Sequence, residues 1–264
     1  MESVKNTLDN ELYYEQVDWA KYAWEGKLKE KIQKIVETIP SDVTTIIDVG
    51  CGNGVITNRL ARMYDVTGVD RSKKALRFVK TKKILSSSDK IDVPDKSFDM
   101  VFSSELLEHL EESLLHDTIK EMDRISKIYI FLTVPSNETI EKDYYKCPNC
   151  EWIFNESYHL RSFNKRKIQQ YFFDYAMIKS FEYGPEKRGY NKLLSKIKQK
   201  FVPPHSWMPK YWTGNSKRDI LCPKCEEIFK YEYRFNLLGF FCDFINIFLS
   251  PHKPYWLFIL LEKK

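Results

Sequence analysis

No segment of this 264-residue chain is both long and apolar enough to cross a bilayer. The longest greasy run, LLGFFCDFINIFL from Leu237 to Leu249, is interrupted by Asp243 and Asn246 and falls well short of the roughly 20 apolar residues a spanning helix needs. The opening stretch, MESVKNTLDNELYYEQ, lacks the basic region followed by an apolar one that marks a secretory leader, so the expectation is an unexported chain that begins as written. A strong charge of one sign is lacking too. Forty-two Lys and Arg against 37 Asp and Glu leave +5 and a pI near 8.7, which permits phosphate-bearing partners without pointing to them. No internal repeat or low-complexity tract interrupts the chain, which argues against solenoids and arrays. The 43% hydrophobic content is ordinary for a globular protein, and one main domain over residues 1–264 is the expectation.

What is present begins with cysteine. Four of the six cysteines form two pairs of identical spacing, CPNC at Cys147 and Cys150 and CPKC at Cys222 and Cys225. Without an export signal, a reducing, cytoplasmic setting is expected, and metal binding is favoured over disulfides. Cys51 and Cys242 read as buried thiols.

Along the first 135 residues the pattern alternates. WAKYAWEGKLKEKIQKIVETIP carries apolar residues at helical spacing and stops at Pro40, which makes residues 1–44 an N-terminal helical cover. TTIIDVG is a β-branched run that bends into glycine, and VITNRLARMY returns to helical periodicity. YDVTGVD repeats the strand, SKKALRFVKTK the helix, SFDMVFSS the strand, SLLHDTIKEMDRIS the helix and KIYIFLTVP the strand. Repeated βα units of this kind build a parallel sheet. Beyond Pro135, NKRKIQQYFFDYA predicts a helix, and MIKSFEYG and PYWLFILLEKK predict strands. The irregular stretches between them each hold one cysteine pair.

In DVGCGNG, Gly50, Gly52 and Gly54 follow a predicted strand and open a predicted helix, where backbone can approach a ligand and helix N–H groups point outward. The dinucleotide fingerprint G-x-G-x-x-G is not met, because the third glycine comes one residue early and Val55 takes its place. Asp70 follows the second predicted strand, where an acid can accept both hydroxyl hydrogens of a ribose.

These residues resemble those of the class I S-adenosylmethionine-dependent methyltransferases, whose glycine motif takes the form D-x-G-x-G-x-G, and the resemblance covers Thr45 to Pro135. It implies a Rossmann-like, seven-stranded, doubly wound α/β sheet, with residues 45–135 as the cofactor-binding core. It also implies Asp48, Gly50, Gly52 and Asn53 around the methionine part of S-adenosyl-L-methionine, Asp70 and Arg71 at the ribose, and Ser87 and Ser88 at the adenine. Family members often carry an acid near Ser87, and here Asp89 is the substitute. Ser104 and Glu105, after the fourth strand, fall near the sulfonium.

The segment ELLEHL holds Glu105, Glu108 and His109 at i, i+3 and i+4, which share one face if the segment is helical. An E-x-x-E-H segment here, with His159 in ESYHLRSF downstream, is similar to the metal site of small-RNA 2′-O-methyltransferases and of ubiquinone-pathway O-methyltransferases. A divalent cation held by Glu105, Glu108, His109 and His159, with Mg2+ or Mn2+ as candidates, would bind a vicinal diol or catechol and lower its pKa. Two other readings stand beside it. His109, with Glu105, lines the pocket or acts as a base without metal, or the segment is structural, since acids are favoured in a helix's first turn. His116 reads as a surface residue.

Each C-P-x-C resembles the knuckle of a zinc ribbon, and two knuckles complete a structural four-sulfur Zn2+ site. The 71 residues between Cys150 and Cys222 require the fold to bring the knuckles together, so residues 136–162 and 185–253 are expected to be insertions that form a zinc-stapled cap. NKLLSKIKQKF places Leu193, Leu194, Ile197 and Phe201 on one side and four lysines around the rest, either a solvated amphipathic helix or a phosphate- or membrane-facing surface. The Phe-rich run that follows reads as core packing over the sheet or as a greasy lid. The functional expectation is methyl transfer to oxygen of a small hydroxylated metabolite, such as a sugar or quinol. RNA 2′-O-methylation is the alternative enzyme, favoured by the ribbon and lysines and opposed by the modest charge. The non-enzymatic alternative is a zinc-ribbon interaction module on a methyltransferase scaffold.

Overall fold

The computed structural model describes residues 26–140, 144–155, 157–207, 219–230 and 233–264. Most of the expected N-terminal cover, residues 1–25, lies outside the described residues; the remainder forms α1, Gly26–Val36, which buries Ile32 and Ile35. The described residues fall into two units. One, the core unit, gathers 26–137, 163–185 and 254–264, and the other gathers the described parts of 138–162 and 186–253.

The core unit is a seven-stranded sheet. In chain order its elements are β1 (Thr45–Val49), α2 (Val55–Leu60), β2 (Asp65–Asp70), β3 (Lys82–Leu85), β4 (Phe98–Ser104), α3 (Glu112–Ile125) and β5 (Ser126–Pro135). Two short strands of the second unit follow, β6 (Tyr144–Lys146) and β7 (Ile153–Asn155). The core resumes with α4 (Lys165–Tyr171) and β8 (Tyr175–Arg188) and ends with β11 (His252–Lys263), the last strand of the chain. The sheet order is β3-β2-β1-β4-β5-β11-β8. β1 through β5 pair in parallel, and β11 runs antiparallel to β5, with Leu260 opposite Phe131.

Both faces of the central strands are covered, which is why β1, β4, β5 and β11 bury consecutive residues rather than alternate ones. On one face Ile35 of α1 and Leu60 of α2 pack with Ile46, Met100 and Phe131. On the other, Leu115 and Met122 of α3 and Ile168 of α4 pack with Ile47, Val101 and Ile130. The doubly wound fold expected from the sequence is the one observed. One local expectation is corrected. SKKALRFVKTK was assigned to a helix, but only Ala75–Phe78 forms a short 3-10 turn, and Lys82 begins β3. β3 is an edge strand whose residues stay largely exposed, so it carries no apolar pattern to read, and lysines on an edge are a common guard against mispairing.

The second unit contains two hairpins, β6 with β7 and β9 (Asp219–Leu221) with β10 (Ile228–Lys230), and two helices that pack together, one before the second hairpin and one after it. The helices are α5 (Lys192–Phe201) and α6 (Leu237–Leu249). Tyr145, Phe154, Tyr158 and Ile220 cluster with the cysteines. In α5, Leu194 is buried and Ile197 packs beside it, while Leu193 and Phe201 are exposed and Lys198 is buried. The simple split into an apolar side and a lysine side does not hold. Asp243 of α6 draws Lys198 inward with a 2.7 Å ion pair.

Candidate functional site

Every residue the sequence assigned to cofactor contact lies in the core unit, and most gather at the carboxyl ends of β1, β2 and β4, where open α/β sheets bind ligands. After β1 the chain turns through Gly50 at φ 77°, Gly52 at φ 53° and Gly54 at φ 72°, all left-handed. A Cβ on Gly54 would lie 2.8 Å from Cγ2 of Val79, and one on Gly50 would lie 3.0 Å from both δ-carbons of Leu106. Conformation and space therefore both demand glycine here.

The turn is tied to Asp70, the acid that ends β2. The Gly52 amide donates to Asp70 Oδ2 at 2.8 Å, and the Ser72 amide donates to Asp70 Oδ1 at 2.8 Å. Burial raises the Asp70 pKa, and these two amides, with Arg71 nearby, oppose the rise. Asp48, 2% exposed on β1, accepts a 2.7 Å hydrogen bond from Thr57 of α2. Burial pushes its pKa up to about 7, with Thr57 pulling down and Asp70 adding to the rise. Asn53 is buried in the turn. Ser87 is exposed and bonds Asp89, so the structure sets this serine beside the substitute acid. Ser88 instead faces Thr118 of α3 at 2.7 Å.

At the end of β4 the structure adds a residue that the sequence reading missed. Lys31 of α1, 2% exposed, donates to Ser104 Oγ at 3.0 Å and to Glu105 Oε1 at 3.1 Å, and its ammonium sits 4.7 Å from the ring centroid of Trp256. Thr133 of β5 donates to the same Ser104 oxygen at 2.8 Å. In sequence Lys31 is one lysine among several on an amphipathic helix, and only the depth at which α1 packs distinguishes it.

The expected helical face of Glu105, Glu108 and His109 does not form. Glu105 adopts a left-handed φ of 55° and pairs with Lys31, and the segment itself forms a 3-10 turn over Leu107–His109 rather than an α-helix. Glu108 is fully buried, His109 is half-buried, and their ligand atoms lie within 4.8 Å of each other. His159 belongs to the second unit, where it is buried with Nδ1 against the Glu138 carboxylate. His116 is exposed, as expected, and lies 3.2 Å from Glu112.

In the second unit the two cysteine pairs meet. Cys147 and Cys225 sulfurs are 3.6 Å apart, as are those of Cys150 and Cys222, and all four lie within 4.8 Å of one another. Disulfide sulfurs sit at about 2.05 Å, whereas the edges of a tetrahedron with Zn–S bonds of about 2.3 Å come to roughly 3.8 Å. The donor set fits a tetrahedral metal ion. The knuckles share one backbone design. The amide after each second cysteine, Glu151 or Glu226, donates to the carbonyl of the first, at 3.1 and 3.0 Å, from left-handed φ values of 58° and 60°.

Residues 47–128 match the family model described as a methyltransferase domain. A ubiquinone biosynthesis O-methyltransferase of Nitrosomonas europaea is 35% identical over 80 residues, 26% of this chain and 34% of that protein. One from Hydrogenovibrio crunogenus is 29% identical over 89 residues, 29% and 37% of the respective chains. The chain thus matches about a third of the length of these curated relatives. Among solved structures, a SAM dependent methyltransferase from Archaeoglobus fulgidus superposes with a TM-score of 0.55 at 16% identity, covering 89% of this chain and 93% of that one. The YcgJ protein from Bacillus subtilis gives 0.53 at 12%, covering 89% and 98%. At these identities the superpositions speak for the fold.

Proposed function

We propose that this chain, which carries a class I S-adenosylmethionine-dependent methyltransferase domain, transfers a methyl group to a hydroxyl oxygen of a small molecule such as a sugar or quinol. The observation that carries the reading is the tie between the Gly52 amide and Asp70, which holds the glycine turn and the ribose acid in one frame. The two curated relatives are named O-methyltransferases, which favours oxygen as the acceptor atom. S-adenosylmethionine supplies a methyl group already activated on a sulfonium, so the protein's task is alignment and handling of one proton.

In this reading Asp48, Gly50, Gly52 and Asn53 hold the methionine portion, Asp70 and Arg71 the ribose, and Ser87 with Asp89 the adenine edge. Lys31 neutralises Glu105 and fixes Ser104 at the end of β4, and His109 beside Glu108 takes the acceptor's proton. Activity that survives EDTA assigns that proton to His109 alone; activity lost with EDTA and restored by Mg2+ or Mn2+ adds a cation at this turn. A structural zinc at Cys147, Cys150, Cys222 and Cys225 completes the proposal, saturated by sulfur and therefore not catalytic. A tritiated methyl-transfer screen over metabolite extracts and RNA tests the activity. Label entering RNA in preference to small molecules would replace the acceptor, and absence of any transfer despite cofactor binding would leave only a scaffold.

Asp48 gives the site a pH signature. Its raised pKa means that the protonated acid is the form the free fold tolerates. Its contribution to stability is therefore full below the ordinary carboxylate pKa and is lost as pH rises through about 7. A cationic ligand favours the ionised acid, so affinity for S-adenosylmethionine runs the other way, rising with pH up to that point. Calorimetry is expected to show binding that weakens by up to about tenfold per pH unit below the midpoint, with proton release on binding near neutrality. Asp48→Asn is expected to flatten the profile, and an unchanged slope in that variant would remove Asp48 from the site.

Lys31→Met keeps the length of the side chain while removing its charge. It leaves Glu105 without its cation and Ser104 without one donor, and it is expected to lower kcat/KM by roughly 10- to 100-fold through misplacement of the β4 end. Cofactor affinity measured by calorimetry is expected to stay within about threefold, because Lys31 touches none of the glycine-turn residues. A loss confined to cofactor affinity would contradict this placement.

A further inference from the structure

Helix α6 of the second unit is built inside out. Its inward residues, Gly239, Cys242, Asp243 and Asn246, include every polar side chain it has, while the other nine of its thirteen residues are all Leu, Phe or Ile and are 38–75% exposed. Apart from the second carboxylate oxygen of Asp243, these inward polar side chains are hydrogen-bonded by the protein. Asp243 Oδ1 accepts from Tyr190 at 2.6 Å and from Lys198 at 2.7 Å, and Lys198 also donates to the Trp207 carbonyl at 2.7 Å. Asn246 Oδ1 accepts from the Asn191 amide at 2.8 Å and from Ser250 at 2.7 Å, while its own amide donates to the Gly189 carbonyl at 3.0 Å. A helix facing water turns its polar residues outward. This one reverses the rule and presents a continuous apolar surface, the mark of an interaction site.

We propose that this face of α6 lies in the surface of a bilayer carrying anionic headgroups. Thirteen residues of helix reach about 20 Å, less than the roughly 30 Å hydrocarbon core, and among the described residues no helix is long and apolar enough to cross a membrane. The helix therefore docks in the plane of the interface. Charge selects lipid over a second copy of this chain. The neighbouring α5 exposes Lys192, Lys196 and Lys200 together with Leu193 and Phe201, with Lys200 over the Phe201 ring at 5.2 Å, and it contains no acidic residue. A symmetric self-contact would set these lysines against their own counterparts, whereas anionic headgroups meet them favourably while the phenyl rings enter the acyl boundary. This inference is independent of the methyl-transfer reading.

The test is co-sedimentation of the full chain with vesicles of phosphatidylcholine alone and of equal parts phosphatidylcholine and phosphatidylglycerol. Binding to the mixed vesicles is expected to be at least about tenfold stronger and to weaken with salt. Phe244→Asp with Phe248→Asp is expected to abolish it without moving the thermal melt, since both rings are exposed. Lys196→Glu with Lys200→Glu is expected to erase the preference for phosphatidylglycerol. In the unchanged protein, amide hydrogen exchange across 237–249 is expected to slow when mixed vesicles are added. Absence of binding to either vesicle, or a lipid-free dimer that Phe248→Asp dissolves, would overturn the proposal.

Discussion

Replacing Cys222 with serine is expected to release a tightly held zinc ion and unfold the second unit, while sinefungin binding by the core unit persists. Cys222 is fully buried at the meeting point of two hairpins whose strands are only three residues long. Hairpins of that size are marginal by themselves, and the aromatic cluster around the cysteines is small. A zinc ion at the proposed four-cysteine site would supply what the packing lacks, since structural zinc sites in small domains contribute apparent free energies of about 10–16 kcal/mol at neutral pH. A serine oxygen does not replace a thiolate at this ion, and the three remaining sulfurs cannot hold the tetrahedron closed. Elemental analysis should find one zinc per unchanged chain and none in the variant. Limited proteolysis should then cut within 138–162 and 186–253, and calorimetry with sinefungin should still register binding. Unchanged protein without zinc, or a variant with undiminished protease resistance, would refute the assignment.

Asp70→Ala should produce the largest loss at the cofactor site. The carboxylate accepts from the amides of Gly52 and Ser72, so its removal strands two partly buried donors, each at about 1–3 kcal/mol. It also removes the side-chain tie between the glycine turn and β2, leaving only the backbone bonds from Gly50 and Cys51 to the Val69 carbonyl, at 2.8 and 2.9 Å. Sinefungin affinity is expected to fall about 100-fold or more, equivalent to roughly 2.7 kcal/mol, together with a lower melting temperature. Asp70→Asn keeps one acceptor oxygen but turns an amide N–H toward the second donor, so it should lie close to alanine rather than to the unchanged protein. Should Asp70→Ala bind sinefungin nearly as well as the unchanged chain, the turn is only a structural bend and the proposed activity loses its main support.

How much could be read in advance depended on whether a residue's neighbours in sequence were also its neighbours in space. The runs at β1, β4, β5 and β11 are predominantly apolar because both faces of these strands are covered, and that pattern survives in one dimension. The glycine turn was equally legible, because left-handed backbone leaves a compositional trace. β3 was not, being short, lysine-rich and paired on one side. Lys31 was invisible for a different reason. Its partners Ser104 and Glu105 lie more than seventy positions away, and a lysine on an amphipathic helix looks solvated until the packing depth is known. The same blindness applied to Lys198, drawn inward by Asp243. At Glu105 the helical spacing misled, since a left-handed residue at the strand end broke the periodicity on which the shared face depended.

The place of β11 in the sheet carries a consequence for biosynthesis. It lies between β5 and β8 yet follows both in the chain, and the second cysteine pair likewise trails the first by 71 residues. Contacts of such long range close slowly. A polypeptide emerging from the ribosome thus carries an open seam in its sheet and an unassembled cysteine cluster at the same time. The sheet and the cysteine cluster can close only once translation has passed both, and until then the edge of β5 stays bare.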